Sequence, residues 1–235
     1  MQVDISQFLA EWPYDPKNWW RIIKTELGQE ALQIRRPCGI DQYLLDGRAD
    51  GKLPFGRESA LAEYEARLQE ELKKQEGAPG FSLSHEDFLI LYEEGLLYYQ
   101  RYLLLFKIGD LARTIRDTEH NLRICELVEA YAEQEEDKNR LLQYRPYIIK
   151  VNALAKARLE LRQGLVPVAK ELLASAIAEI KNLPEIKTII FQVEKTRALH
   201  YLAQMLSQIE EKGEFSELEK LKIELESALQ REDYV

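Results

Sequence analysis

Residues 95–106 read GLLYYQRYLLLF, and this run decides the fold. Only Gln100 and Arg101 interrupt it, and it is shorter than the roughly 20 apolar residues a membrane-crossing helix needs. A helix that is apolar almost all round has neighbours on every side. The run therefore predicts a central helix over His85–Ile108. Ser84 with Asp87 forms a capping box at its start, and Gly109 stops it. Asp110 caps the next helix, Leu111–Tyr131, whose stripe is Leu111, Ile115, Leu122, Cys125 and Val128.

Outward from this pair the punctuation repeats. Upstream, residues 57–75 carry Leu61, Tyr64, Leu68 and Leu72 at helical spacing. Downstream, AEQEEDK (residues 132–138) reads as a solvated connection. A long helix follows, with Pro146 either kinking it or marking its first turn. Gly164 ends that helix. Pro167 sits in the first turn of the next, which carries Val168, Leu172, Leu173, Ile177 and Ile180. Pro184 separates it from a helix over residues 185–212 with Ile186, Ile189, Val193, Leu199, Leu202, Leu206 and Ile209. A last helix begins near Ser216. Leu104 and Leu173 are assigned to the core.

Residues 1–56 differ in kind. They hold all three tryptophans, four of the eight prolines and five of the eleven glycines. A short helix capped by Asp4 precedes three strand-like runs: residues 19–26, 31–35 and 40–45. In the second, Leu32 and Ile34 share one face, Gln33 and Arg35 the other. DGRADGKLPFG (residues 46–56) is loop by composition. The fold class is thus mainly α (α+β): a small N-terminal antiparallel meander over residues 1–56, a helical domain over 57–214 and a terminal helix over 215–235. Trp19 and Trp20 cannot both face inward on one strand, so one covers a helix or lies exposed.

The chain of 235 residues has 32 Lys and Arg against 41 Asp and Glu, a formal net charge of −9. That balance argues against duplex nucleic acid and anionic membrane as partners. Two cysteines, Cys38 and Cys125, exclude a disulfide framework and a four-cysteine zinc site, and suit a reducing, cytoplasmic setting.

Helix pairs turn at Gly109-Asp110, Gly164 and Gly213-Glu214, the layout of stacked antiparallel hairpins. GDLARTI (residues 109–115) and GLVPVAKEL (residues 164–172) resemble tetratricopeptide repeats. Ala157, Gly164, Ala169 and Ala176 fall where that repeat wants small residues, although the intervals exceed its 34-residue period. The final FSELEKLKIELESALQREDYV (residues 215–235) resembles the first half of the UVR motif, named for UvrB and UvrC. Leu218, Leu221, Leu225 and Ala228 make its stripe; Glu232, Asp233 and Tyr234 make its turn. The family's second helix is absent. Together these features resemble bacterial UVR-motif proteins of unassigned function. The resemblance implies a helical hairpin mediating protein–protein contacts, and self-association through the terminal helix where the hairpin is incomplete.

No reaction is legible. GRADGK (residues 47–52) has its glycines one residue too close for a phosphate loop, and Leu53 follows the lysine where Ser or Thr should hold magnesium. Asp117 and His120 share a helix face at metal-ligating spacing, but a bundle metal site needs more carboxylates and a second such pair. His120 reads as a surface or cap residue, Cys125 as core and Cys38 as exposed. No catalytic, metal or cofactor residues are assigned. Two aromatic groups with arginine, Tyr98, Tyr99, Tyr102 and Phe106 around Arg101, then Tyr144, Arg145 and Tyr147, are either core packing or a peptide-binding face; Tyr98, Arg101 and Tyr102 are taken from the first as partner-binding candidates. The leading expectation is a non-enzymatic scaffold or adaptor with a protein partner, using these residues and Leu218, Leu221, Leu225, Asp233 and Tyr234. The alternative is an enzyme or small-molecule binder at the meander–helix junction, drawing on Trp19, Arg35, Asp41, Tyr43 or His200.

Overall fold

A computed structural model describes residues 4–73 and 80–212. Its elements are α1 (Ser6–Glu11), β1 (Trp20–Lys24), β2 (Glu30–Arg36), β3 (Gly39–Leu44), a 3-10 turn (Pro54–Gly56), α2 (Ala60–Leu72), α3 (His85–Ile108), α4 (Leu111–Tyr131), α5 (Glu135–Leu142), α6 (Arg145–Arg162), α7 (Val166–Asn182) and α8 (Ile189–Lys212). The protein is mainly helical with a small antiparallel sheet, strand order β1-β2-β3.

The sheet's two faces follow from its register. Ile22, Leu32 and Tyr43 are cross-strand neighbours, as are Trp20, Ile34 and Asp41, so all six side chains share one face. Leu32, Ile34 and Leu45 are fully buried with Leu105 of α3, so this face docks on the central helix. On the opposite face Arg21 Nε donates to Gln33 and Gln33 donates to Gln42, a polar ladder. Arg35 on that face donates to the carbonyls of Leu9 and Trp12, tying α1 to the sheet.

Both ends of α3 form as the sequence dictates. Ser84 and Asp87 close a reciprocal capping box, and Gly109 takes the left-handed φ of 83° that a helix stop favours. The chain reverses there. The contacts Arg101–Asp117, Gly95–Asn121 and Glu94–His120 run in opposite order along α3 and α4, so the helices are antiparallel. Thr118–Asn152, Glu119–Lys156 and Glu129–Arg145 show the same for α4 and α6. Pro146 lies in the first turn of α6, and α7 and α8 complete the array. One core joins α3, α4, α6, α7 and α8; a second joins α2 to the start of α3, to α4 and to α5. Beyond the meander the only strand-like feature among the described residues is an isolated parallel bridge, Leu83 to Ala132.

Four expectations need correction. Residues 132–138 are not simply a connection, because helix α5 starts at Glu135. Three acidic residues in its first turn suit the positive end of a helix, and Leu141 and Leu142 are buried. The last described helix starts at Ile189 rather than 185, where the Thr188 hydroxyl accepts from Phe191 N–H. Its buried stripe is Phe191, Ala198, Leu202, Met205 and Ile209, and this phase leaves Ile189 84% exposed. Leu173 is in the core, whereas Leu104 is only half-buried, at the edge of the sheet–helix cluster. His120 is not at the surface: its ring stacks on Tyr98 at 3.7 Å between centroids. The UVR-like segment, with Leu218, Leu221, Leu225, Asp233 and Tyr234, lies outside the described residues.

Candidate functional site

The described structure divides the aromatic and charged residues singled out in the sequence between a buried hub and an open cleft. The hub holds Arg101 and Glu94, seven residues apart on the buried stripe of α3 and both fully inaccessible. Arg101 donates through Nε and Nη2 to the two carboxylate oxygens of Asp117, at 2.6 and 2.9 Å. Its Nη1 donates to the carbonyls of Leu44 and Gly47. Glu94 receives the backbone N–H groups of Ala60 and Leu61, which open α2, and Arg48 Nη1 at 3.0 Å; His120 Nε2 lies 3.0 Å away. Burial by itself raises the Glu94 carboxyl, but His120 and the two N–H groups outweigh it and hold it below the usual carboxylate range. Burial pushes the Tyr98 phenol up to about 12. Arg48 and the Leu44 and Gly47 carbonyls belong to the meander and its loop, so this charge cluster fastens the N-terminal subdomain and α2 to α3 and α4.

Tyr98, Arg101 and Tyr102 are therefore interior residues and do not face a groove. Arg101 is drawn inward by Asp117 and by the sheet's loop, which periodicity cannot reveal. Asp117 and His120 are not joined in one site: the first pairs with Arg101, the second with Glu94.

The second group also divides. Arg145 pairs with Glu129 at 2.5 Å and borders a small cleft of about 240 Å³ with Leu142, Pro184 and Phe191. Tyr144 is 37% exposed. Tyr147 turns instead toward a larger cleft of about 580 Å³ at the junction of sheet and helices.

That cleft forms where the sheet's inner face lifts away from α3. Ile34, Asp41 and Tyr43 present it from the sheet, with Arg35 and Arg36 at the end of β2. Tyr99, Gln100, Leu103, Leu104 and Lys107 present it from one face of α3, since their spacing is that of successive turns. Tyr99 packs edge-on against Tyr102 and Tyr147, with centroids 5.5 and 6.0 Å apart, so the aromatic wall is fixed from behind. Trp19 bridges the rim: it joins the sheet–helix cluster, and Lys107 Nζ lies 4.5 Å from its ring centroid. Trp20 is the exposed member of the pair. Arg36 Nε donates to Asp41 at 2.8 Å. Burial first, then the Asp41 carboxylate, raises the Tyr43 phenol.

Of the residues proposed for a junction site, Trp19, Arg35, Asp41 and Tyr43 all line this cleft, and His200, exposed on α8, does not. Arg35 is 5% exposed and donates to backbone carbonyls only, so it builds the wall rather than meeting a ligand. Sequence reasoning placed Tyr99 in the aromatic cluster of α3 and missed Arg36 and Lys107. Their signal was weak, because each is an ordinary member of a strand end or a helix face. Among the described residues, no helix is long and apolar enough to cross a membrane. Comparison with family models, curated proteins and solved structures gives no match.

Proposed function

We propose that this chain is a non-enzymatic interaction scaffold that captures a peptide segment of a protein partner in the sheet–α3 cleft. The UVR-like residues 215–235 serve as a second contact element. The observation that carries this reading is the convergence of Trp19, Tyr43, Tyr99 and Tyr147 with Arg36 and Lys107 around one open cleft. Tyr, Trp and Arg are the residues on which binding energy concentrates, and subdomain junctions are where clefts persist. The direct test pans a library of extended peptides on the whole chain. Selected peptides should lose binding on Tyr43→Ala or Lys107→Gln and keep it on Arg145→Gln. Selected peptides indifferent to both cleft variants would refute the assignment.

A second reading, a small-molecule binder or enzyme at the same cleft, draws on its volume, which lies within the about 300–1,000 Å³ of small-molecule sites. A thermal-shift screen of metabolites separates the two, because a ligand of the native state raises its melting temperature.

A further inference from the structure

The charges of the cleft specify the kind of peptide it takes, on the reading of the cleft as a recognition site. Its wall holds three cations, Arg35, Arg36 and Lys107, against one carboxylate, Asp41. The whole chain carries a net charge of −9, so the cleft is a basic spot on an acidic protein. Arg35 contributes charge but no donor, since its guanidinium is occupied by carbonyls. Arg36 and Lys107 are the cations that can meet a ligand. The Arg36 side chain is 54% exposed, and Asp41, its 2.8 Å partner, is 42% exposed. Asp41 is the register neighbour of Ile34 and so stands on the sheet face that borders the cleft. Lys107 lies on the Trp19 ring, and an ammonium held on a π face still has N–H donors to give.

We propose that the cleft binds a peptide bearing a carboxylate side chain beside an aromatic one, and that Asp41 holds the place of that carboxylate on Arg36 in the unbound protein. On binding, the ligand's carboxylate exchanges for Asp41 on Arg36 and also reaches Lys107. Its aromatic ring lies against the wall of Trp19, Tyr43, Tyr99 and Tyr147, where edge-to-face contacts are available. Arg36 is thus paired in both states, and Asp41 acts as a built-in competitor that sets affinity and rejects neutral peptides. Removing the competitor strengthens binding, whereas removing Asp41 would weaken binding if it were itself a ligand contact.

The test is a fluorescence-anisotropy titration of the whole chain with a labelled peptide of four Glu-Tyr repeats and its Gln-Tyr counterpart. The Glu-Tyr peptide should bind about tenfold more tightly than the neutral one. Asp41→Asn should tighten Glu-Tyr binding about threefold or more and leave Gln-Tyr binding unchanged. Lys107→Gln should weaken Glu-Tyr binding by a similar factor. Unchanged circular dichroism melts show that the variants fold. Equal affinity for both peptides refutes the charge selection while leaving the cleft a peptide site. Weaker binding by Asp41→Asn refutes the place-holder. Displacement of the peptide by an equal concentration of oligothymidine refutes the peptide class, because any polyanion would then serve. Failure of both peptides to bind refutes the inference alone, because the peptide-binding reading is decided by the library panning.

Discussion

Replacing Asp117 by Ala strands Arg101, a fully buried charge. Arg101 and Asp117 are both fully inaccessible, and two hydrogen bonds of 2.6 and 2.9 Å join them. Breaking a buried pair from one side costs about 3–5 kcal/mol, because the remaining ion has lost its solvent and its partner. For a chain of this size each kcal/mol moves the melting temperature by about 2–4 °C, so Asp117→Ala should melt about 6–20 °C lower. The double variant Arg101→Met with Asp117→Leu should recover much of that, since a hydrophobic replacement removes both charges. Recovery is incomplete, because the Leu44 and Gly47 carbonyls lose their donor. The assay exploits the sequence: all three tryptophans lie in the N-terminal subdomain, so tryptophan emission reports its detachment while far-ultraviolet circular dichroism reports the helices. In Asp117→Ala the emission transition should fall first and separate from the helical one. An Asp117→Ala protein melting within about 2 °C of the parent, with coincident transitions, would refute the view that this pair fastens the sheet.

Leu173→Ala should cost about 2–5 kcal/mol by denaturant titration, whereas half-buried Leu104→Ala should cost less than about 2 kcal/mol. Acid should weaken the hub. The folded Glu94 carboxyl titrates below its unfolded value, so its stabilisation is full above roughly pH 4.5 and is lost as pH falls through the folded pKa. Stability measured from pH 7 to pH 3 should therefore fall less steeply in Glu94→Gln, from a lower starting value. A thiol reagent should label exposed Cys38 at once and Cys125 only on unfolding, since Cys125 is fully buried and burial pushes its thiol up to about 12.

The helical order was legible because stops and caps are local chemistry. Ser84, Gly109, Asp110, Gly164 and Pro167 act through the backbone groups beside them, and each marks the boundary expected of it. Phase was less legible. Ile189 and Val193 fit a helical stripe with Leu199 as well as Phe191 fits one with Ala198, and only the packing of α8 on α6 and α7 chooses between them. The hub was hidden for another reason. Thr114, Asp117, Thr118 and Asn121 form a buried polar strip on α4, and its partners, Arg101, Asn152 and the Gly95 carbonyl, lie on other elements. Opposite charges at Glu94 and Arg101 within one apolar stripe were the available sign of it. The junction site was half legible: Trp19, Asp41 and Tyr43 stood out as polar or aromatic residues on a docking sheet and Tyr99 as one of an aromatic cluster, while Lys107 looked like any other residue on the face of a central helix.

The central claim is that a peptide seats between the sheet and α3, and one spectrum tests it. Fluorotryptophan incorporated into the whole chain gives three ¹⁹F resonances: Trp12, buried beneath Arg21; Trp19, in the cleft wall; and Trp20, exposed on β1. Titration with the Glu-Tyr peptide should move the Trp19 resonance with the same saturation curve as the anisotropy and leave Trp12 in place. Binding seen by anisotropy with a stationary Trp19 resonance would put the peptide elsewhere and contradict the account.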